Sequence, residues 1–404
     1  MTAEVTVPDV DFVNLLAVMV IALGAPLLLG FVPALRMPAV VLEILAGVVF
    51  GPSVLGWVEI DLVVEVLGLL GLAFLLFLAG LEIDVHRLRG RLLRLAVLGY
   101  LLTLLIGSGF GVGFDLLGWV DDPLLMAVTL SATSLGLVVP VLKDAGHVDG
   151  ELGQTTIAAS SVADFAAVLL LSLLFSASEG STGGRVVLLV MFALLVVVSG
   201  VAVALAGRSM RLGEVLVRLQ DTTAEIRVRG ATVLLVGFVV LAERFGLESI
   251  LGAFLAGAVI GLLDRDDSSH PQFRVKLDAI GYGFLIPVFF VSSGLRLDVT
   301  ALVDSPSALL QVPLFVVALL CARGLPALLY TPSLGLRAAV TAGLLQATSL
   351  PFIVTATQIG LLVGLINPVT ATGLVCAGLV SVLVFPAVAL GRLRRGEAQA
   401  QPST

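Results

Sequence analysis

Between residues 12 and 391 the chain is a succession of apolar runs separated by short polar connections. Thirteen such runs can be placed, at 12–31, 38–53, 62–81, 92–117, 123–142, 152–176, 184–206, 227–245, 247–263, 277–295, 306–331, 336–360 and 367–391. Most approach or exceed the roughly 20 residues that a helix needs to cross a hydrocarbon layer. Residues that are 59% hydrophobic and only 13% charged leave too much apolar surface for a water-soluble core, so lipid is the solvent for most of the length. The expectation is an all-α polytopic membrane protein with 13 transmembrane helices.

Lysine and arginine set the orientation. With the N-terminus outside, the clusters around Arg87, Arg89, Arg91 and Arg94, around Arg208, Arg211 and Arg218, and at Arg392, Arg394 and Arg395 all fall inside. Arg36, Lys143, Arg227, Arg229, Arg265, Arg274, Lys276 and Arg337 join them, against Arg185, Arg244 and Arg296 outside. A miscounted span would scramble this bias. The loop 207–226, containing "LGEVLVRLQDTTAEI", reads as an amphipathic inner-surface helix or a plain solvated connection.

Two runs carry the same word. "SATSLGLVVP" begins at Ser131 and "QATSLPFIVT" at Gln346, seven spans apart in the count. An odd shift places the copies in opposite orientations, the mark of two inverted six-helix repeats. These are residues 1–176 and 227–391, joined by 177–226 and followed by a short cytosolic tail, 392–404. Gly136, Pro140 and Pro351 weaken both helices, so crossed interrupted helices are expected at mid-membrane. Irregular backbone survives there only when buried or lining a cavity. Thr133 and Ser134 at the first break, and Thr348 and Ser349 at the second, either help hold an ion or bond back to their own helix carbonyls.

Three ionisable residues are singled out within runs: Asp164 and Arg323 well away from the ends, and Glu43 closer to one. Asp164, in "ASSVADFAAVLLL", is roughly 18 Å along its helix. A carboxylate at that depth costs a few kcal/mol without a partner or a proton, which marks it as functional by default. Ser161, three residues earlier on the same face, is a candidate to share a cation with it. Arg323 either snorkels to the headgroups or turns inward as a fixed counter-charge. Glu43, near the end of the short second run, is a packing or gating carboxylate or a ligand. A carboxylate among hydroxyls suits a small monovalent cation, and competition between that cation and a proton for one site is already an exchange mechanism. No cofactor is called for beyond the transported ions.

"VLEILAGVVFGPSVLG", "FLLFLAGLEIDVHRLR", "SATSLGLVVPVLKDAG", "LESILGAFLAGAVIGLL" and "PVFFVSSGLRLDV" occur in this order. Together they resemble the motifs of bacterial monovalent cation:proton antiporters of the sodium/proton exchanger superfamily, over about residues 15–390. The resemblance implies thirteen helices, a homodimer in the bacterial inner membrane, and an elevator-like core moving against a scaffold. It matches Asp164 to the family's ion-binding aspartate and Arg323 to the basic residue of the eleventh span. Two departures stand out. Ala163 occupies the position where relatives carry Asp, Asn or Gln. "LLQATSLPF" keeps Gln346 but lacks the acid of potassium-linked relatives. The nine residues after Arg395 hold no nucleotide-binding tail, unlike ligand-gated potassium efflux members. Na+, K+ and Li+ all remain open as cargo.

Other classes fit less well. A non-transporting sensor on this scaffold is expected to lack Asp164, and a passive channel needs rings of polar residues rather than one central acid. His86, His147 and His270 fall between the runs, and Cys321 and Cys376 have neither metal nor disulfide spacing, so an intramembrane enzyme is disfavoured. The first ten residues carry acid and no base, unlike a signal peptide. A net charge of −7 spread over loops points to no nucleic-acid partner. Ala163 cannot titrate and Arg323 holds its proton at any physiological pH. Asp164 is left as the single carrier, and one cation for one proton is the expected stoichiometry.

Overall fold

The computed structural model describes residues 12–32, 38–82, 90–144, 146–148, 150–175, 225–263, 271–297, 299–300 and 306–400, with isolated positions at 184, 187, 190, 191 and 194. The run expected at 184–206 lies outside these apart from those positions, and so does almost all of the loop 207–226. Arg36, Arg87, Arg89, Arg185, Arg208, Arg211, Arg218, Arg265, His86 and His270 also lie outside them.

The apolar runs fold as helices because, in lipid, a helix satisfies every backbone polar group within its own segment. They are α1 (Val13–Phe31), α2 (Ala39–Phe50), α3 (Leu62–Leu81), α4 (Gly90–Leu116), α5 (Pro123–Ser131), α6 (Leu135–Asp144) and α7 (Glu151–Phe175). Then follow α8 (Ile226–Arg244), α9 (Ser249–Leu263), α10 (Pro271–Ile280), α11 (Ile286–Leu295), α12 (Pro306–Leu319), α13 (Thr331–Gln346), α14 (Pro351–Leu362) and α15 (Pro368–Ala400). Among the described residues there is no strand, only an isolated bridge between Val120 and Ile366. Seven of the described helical stretches are long and apolar enough to cross a membrane, and three shorter ones are also apolar. The protein is an all-α, multi-pass membrane protein. Leu16, Val20 and Leu23 on α1 are exposed, as expected of a helix facing lipid.

Local chemistry sets the helix ends. Asp61 caps α3 by accepting the Val64 N–H at 2.9 Å. Asp122 caps α5 by accepting the Leu124 N–H at 2.7 Å, with Pro123 ready at the first helical position. Two helices are interrupted where the repeated words lie: α5 stops at Ser131 and α6 starts at Leu135, while α13 stops at Gln346 and α14 starts at Pro351. Gly335, at φ 77° and ψ 160°, breaks the helical run before α13 crosses. The last helix, α15, continues through residues 392–400 to Ala400.

Close crossings rest on glycine pairs. A Cβ on Gly80 would collide with the Phe254 carbonyl, and one on Gly257 with the Phe77 carbonyl, so α3 and α9 touch backbone to backbone. Gly47 and Gly294 do the same for α2 and α11, against the carbonyls of Val291 and Ile44. Two π-helical turns loosen long helices, Gly281–Leu285 between α10 and α11 and Leu320–Gly324 after α12. Pro326, opening the 3-10 turn Pro326–Tyr330, has no N–H to continue the ladder behind it, and the widened turn carries Arg323.

Candidate functional site

The two breaks meet. The Ser134 N–H donates to the Thr348 carbonyl at 2.9 Å, and Thr133 Oγ1 donates to the Gln346 carbonyl at 2.8 Å. Asp164, near the middle of α7, faces this junction. Its Oδ1 accepts the Thr133 N–H at 3.1 Å and its Oδ2 the Leu135 N–H at 3.4 Å. A helix that begins in mid-membrane has orphaned N–H groups and a partial positive charge at its first turn. Asp164 supplies the acceptor for two of those groups, and the other broken segment supplies one for the third.

Arg323 is 2% exposed, which rules out snorkelling. Its Nε donates to Thr133 Oγ1 at 2.9 Å and lies 3.4 Å from the Gln346 carbonyl, while Nη1 reaches Thr103 Oγ1 on α4 at 3.4 Å. A direct pairing with Asp164 is not formed. Thr133 stands between them, taking the guanidinium with its hydroxyl and giving its backbone N–H to the carboxylate. The guanidinium is thus a fixed charge one residue removed from the acid.

The remaining hydroxyls divide. Ser161 Oγ donates to the Ile157 carbonyl at 2.9 Å within its own helix, and Thr348 Oγ1 to the Leu344 carbonyl at 3.3 Å. Both follow the local alternative. Ser349 is tied through its backbone N–H to Ser381 Oγ at 3.2 Å, and its own hydroxyl is buried without a partner among the described residues. Ser134 is 8% exposed, and among the described residues its hydroxyl makes no hydrogen bond.

Asp164, Thr133 and Ser134 line a cavity of about 60 Å³. Its walls include Leu75, Leu76, Val168, Phe254, Pro351 and Phe352, so both broken helices border it. Glu82 and Tyr282 line it too. Glu82 follows directly on α3 and is exposed. Protein crowded around the carboxyl displaces water and pushes it up to about 7, with the Asp278 carboxylate adding to the rise and the Arg274 guanidinium opposing it. Glu43 is not brought to this site. It is 5% exposed and lines a separate cavity of about 620 Å³ between α1, α2 and the first π turn. Tyr282 borders both cavities.

Thr103, Glu82 and Tyr282 are members of this arrangement that sequence reasoning did not single out. Glu82 sits within the quoted "FLLFLAGLEIDVHRLR", so a signal was present; a lone threonine in α4 gives none. Chemically, one carboxylate in a small cavity, facing free hydroxyl oxygen and backed by a fixed cation, can hold a proton or a small monovalent cation. The cavity has room for such an ion with a few waters, not for an organic solute.

Comparison with known proteins places these features in a wider group. The family described as "Sodium/hydrogen exchanger, transmembrane" matches residues 19–390. The putative Na+/H+ antiporter YjbQ of Bacillus subtilis is 30% identical over 96% of the chain, which spans 64% of that relative's length. The Na+/H+ antiporter of Enterococcus hirae is 31% identical, with 65% of this chain and 67% of the relative aligned. The Na+/H+-K+ antiporter GerN of Bacillus cereus is 29% identical over 65% of this chain and 66% of its own. Among solved structures, the sodium proton antiporter MjNhaP1 of Methanocaldococcus jannaschii at pH 8 shares the fold with a TM-score of 0.68. That alignment covers 95% of this chain and 98% of the other, at 19% identity.

Proposed function

Because the chain belongs to the sodium/hydrogen exchanger family, we propose that it is a secondary transporter exchanging a monovalent cation for a proton across the bacterial cytoplasmic membrane. One observation carries the reading: Asp164 faces the junction of two interrupted helices, bound to the N-terminal N–H groups of one of them. There the acid is held in place by backbone donors while its cavity admits an ion.

In this reading Asp164 is the carrier, neutralised alternately by a proton and by the cation. Ser134 offers a free hydroxyl oxygen and Thr133 positions the acid. Arg323 is a fixed counter-charge that lets the carboxylate stay ionised between cargoes, without being itself carried. With Ala163 beside it, Asp164 bears a single transferable charge, so exchange is one for one and electroneutral. We further propose thirteen spans in two inverted repeats with the N-terminus outside, an elevator-like core containing α5–α7, α13 and α14, and a homodimer. The family match, the paired breaks and the distribution of basic residues support these points. Glu43 takes a packing or gating role, in keeping with its separate cavity.

The names of the relatives mention both Na+ and K+, so cargo is read from experiment. In proteoliposomes loaded with a pH dye and energised by a proton gradient, Na+, Li+ or K+ is added in turn. Dequenching by at least one of them is the expected outcome. Silence with all three in a correctly folded sample points instead to a sensor. Cation leak without proton flux points to a channel.

A further inference from the structure

The Asp164 cavity is lined by two carboxylates at different depths. Asp164 is half-buried and bound to two backbone N–H groups, while Glu82, just past the end of α3, lines the same cavity and is exposed. Among the described residues the Glu82 carboxylate makes no hydrogen bond and no ion pair. It is nevertheless no freely solvated acid, since Ala79, Phe254 and Tyr282 line the same cavity beside it. The Ser134 hydroxyl, more than nine-tenths buried and unpartnered among the described residues, faces the cavity between these walls. We propose that Glu82 is the entry station of the cavity: it takes a monovalent cation from solution, hands it past Ser134 to Asp164, and sets the apparent affinity without being part of the carried charge.

The inference rests on the exchange reading above and adds a residue to it. The charge logic is local. A cation entering an apolar-walled opening sheds water, and a carboxylate at the mouth offsets that loss before Asp164 is reached. Among the described residues, the groups acting on Glu82 are Asp278 and Arg274 on α10, Tyr282 in the π turn and Asp164 on α7. The sequences of α9 and α14 contribute no ionisable residue. With its carboxyl pushed up to about 7, Glu82 is charged in mildly alkaline solution and neutral in mildly acidic solution. The station therefore works above neutrality and fades below it.

The test compares wild type with Glu82→Gln and Glu82→Asp, each the full chain in proteoliposomes, measuring initial rates against Na+ and K+ at pH 8 and pH 6. At pH 8, Glu82→Gln should raise the apparent KM about five- to tenfold with little change in maximal rate, the size expected of one charge acting through a partly wet site. At pH 6 the gap should close, because the wild-type carboxyl is already protonated. Glu82→Asp should restore most of the affinity at pH 8, which a merely structural role would not. An unchanged KM at pH 8, or a KM increase of equal size at both pH values, overturns the proposal. Wild type that exchanges no cation defeats the family-level reading, whereas active wild type with an indifferent Glu82→Gln defeats only this one.

Discussion

Replacing Thr133 by valine keeps the side chain's volume and its backbone N–H but removes the hydroxyl that joins the fixed cation to the break. That oxygen accepts from Arg323 Nε at 2.9 Å and donates to the Gln346 carbonyl at 2.8 Å. A hydrogen bond to a charged group contributes about 1.5–3 kcal/mol, and leaving a buried guanidinium short of acceptors adds to the loss. The Thr133 N–H to Asp164 survives, so the carboxylate itself is not released. The freed guanidinium instead turns toward the nearest anion, Asp164, and competes there with the cation. If half of the upper figure reappears as an Arg323–Asp164 pair, the apparent cation affinity falls about tenfold, since roughly 1.4 kcal/mol is one decade. Thr348→Val is the matched control, because among the described residues its hydroxyl bonds only the Leu344 carbonyl of its own helix, at 3.3 Å. Initial rates against cation concentration at fixed pH, measured in proteoliposomes for Thr133→Val, Thr133→Ser and Thr348→Val, give the comparison. Thr133→Ser should stay within about threefold of wild type, consistent with a hydroxyl retained in place. Equal affinities for the two valine variants would refute the role assigned to Thr133.

Asp164→Asn should abolish exchange while eluting as a folded protein in detergent; wild-type rates in this variant remove Asp164 from the mechanism. Arg323→Lys keeps the charge but cannot reach Thr133, Thr103 and the Gln346 carbonyl together, so melting in detergent should move to lower temperature, whereas an unchanged transition contradicts the network. Gly257→Val should prevent folding, since even a Cβ there meets the Phe77 carbonyl, while Gly24→Ala, with open space around it, should elute like wild type. Normal elution of Gly257→Val would contradict the close crossing of α3 and α9.

The sequence made some of this legible and left other parts dark, for physical reasons. Apolar runs announce helices in lipid because no other local structure satisfies their backbone there, and the described helices lie where the runs do. The interruptions were visible because glycine and proline act on the backbone within a few residues of themselves. Asp164 was visible because its charge is costly at that depth. Partners were not, since a hydrogen bond across the bundle leaves no trace in local sequence: Arg323 reaches a threonine 220 positions away. Ser161 shows the same limit: helical spacing puts it on the face of Asp164, but the bond its hydroxyl donates to the Ile157 carbonyl is not written in that spacing. Glu82 was passed over because an acid at a span end is ordinarily just solvated, and only the packing of α3 against α9 and the first π turn sets that end against the Asp164 cavity.

The central claim is that one carboxylate, Asp164, carries either one proton or one cation. Currents recorded from the reconstituted protein on a solid-supported membrane during a Na+ or K+ jump, with a pH dye reporting turnover, test it most directly. The account expects proton flux without sustained current in wild type, and neither signal in Asp164→Asn. A sustained current accompanying proton flux would mean that a second charge travels with the core, and would contradict the one-carrier account.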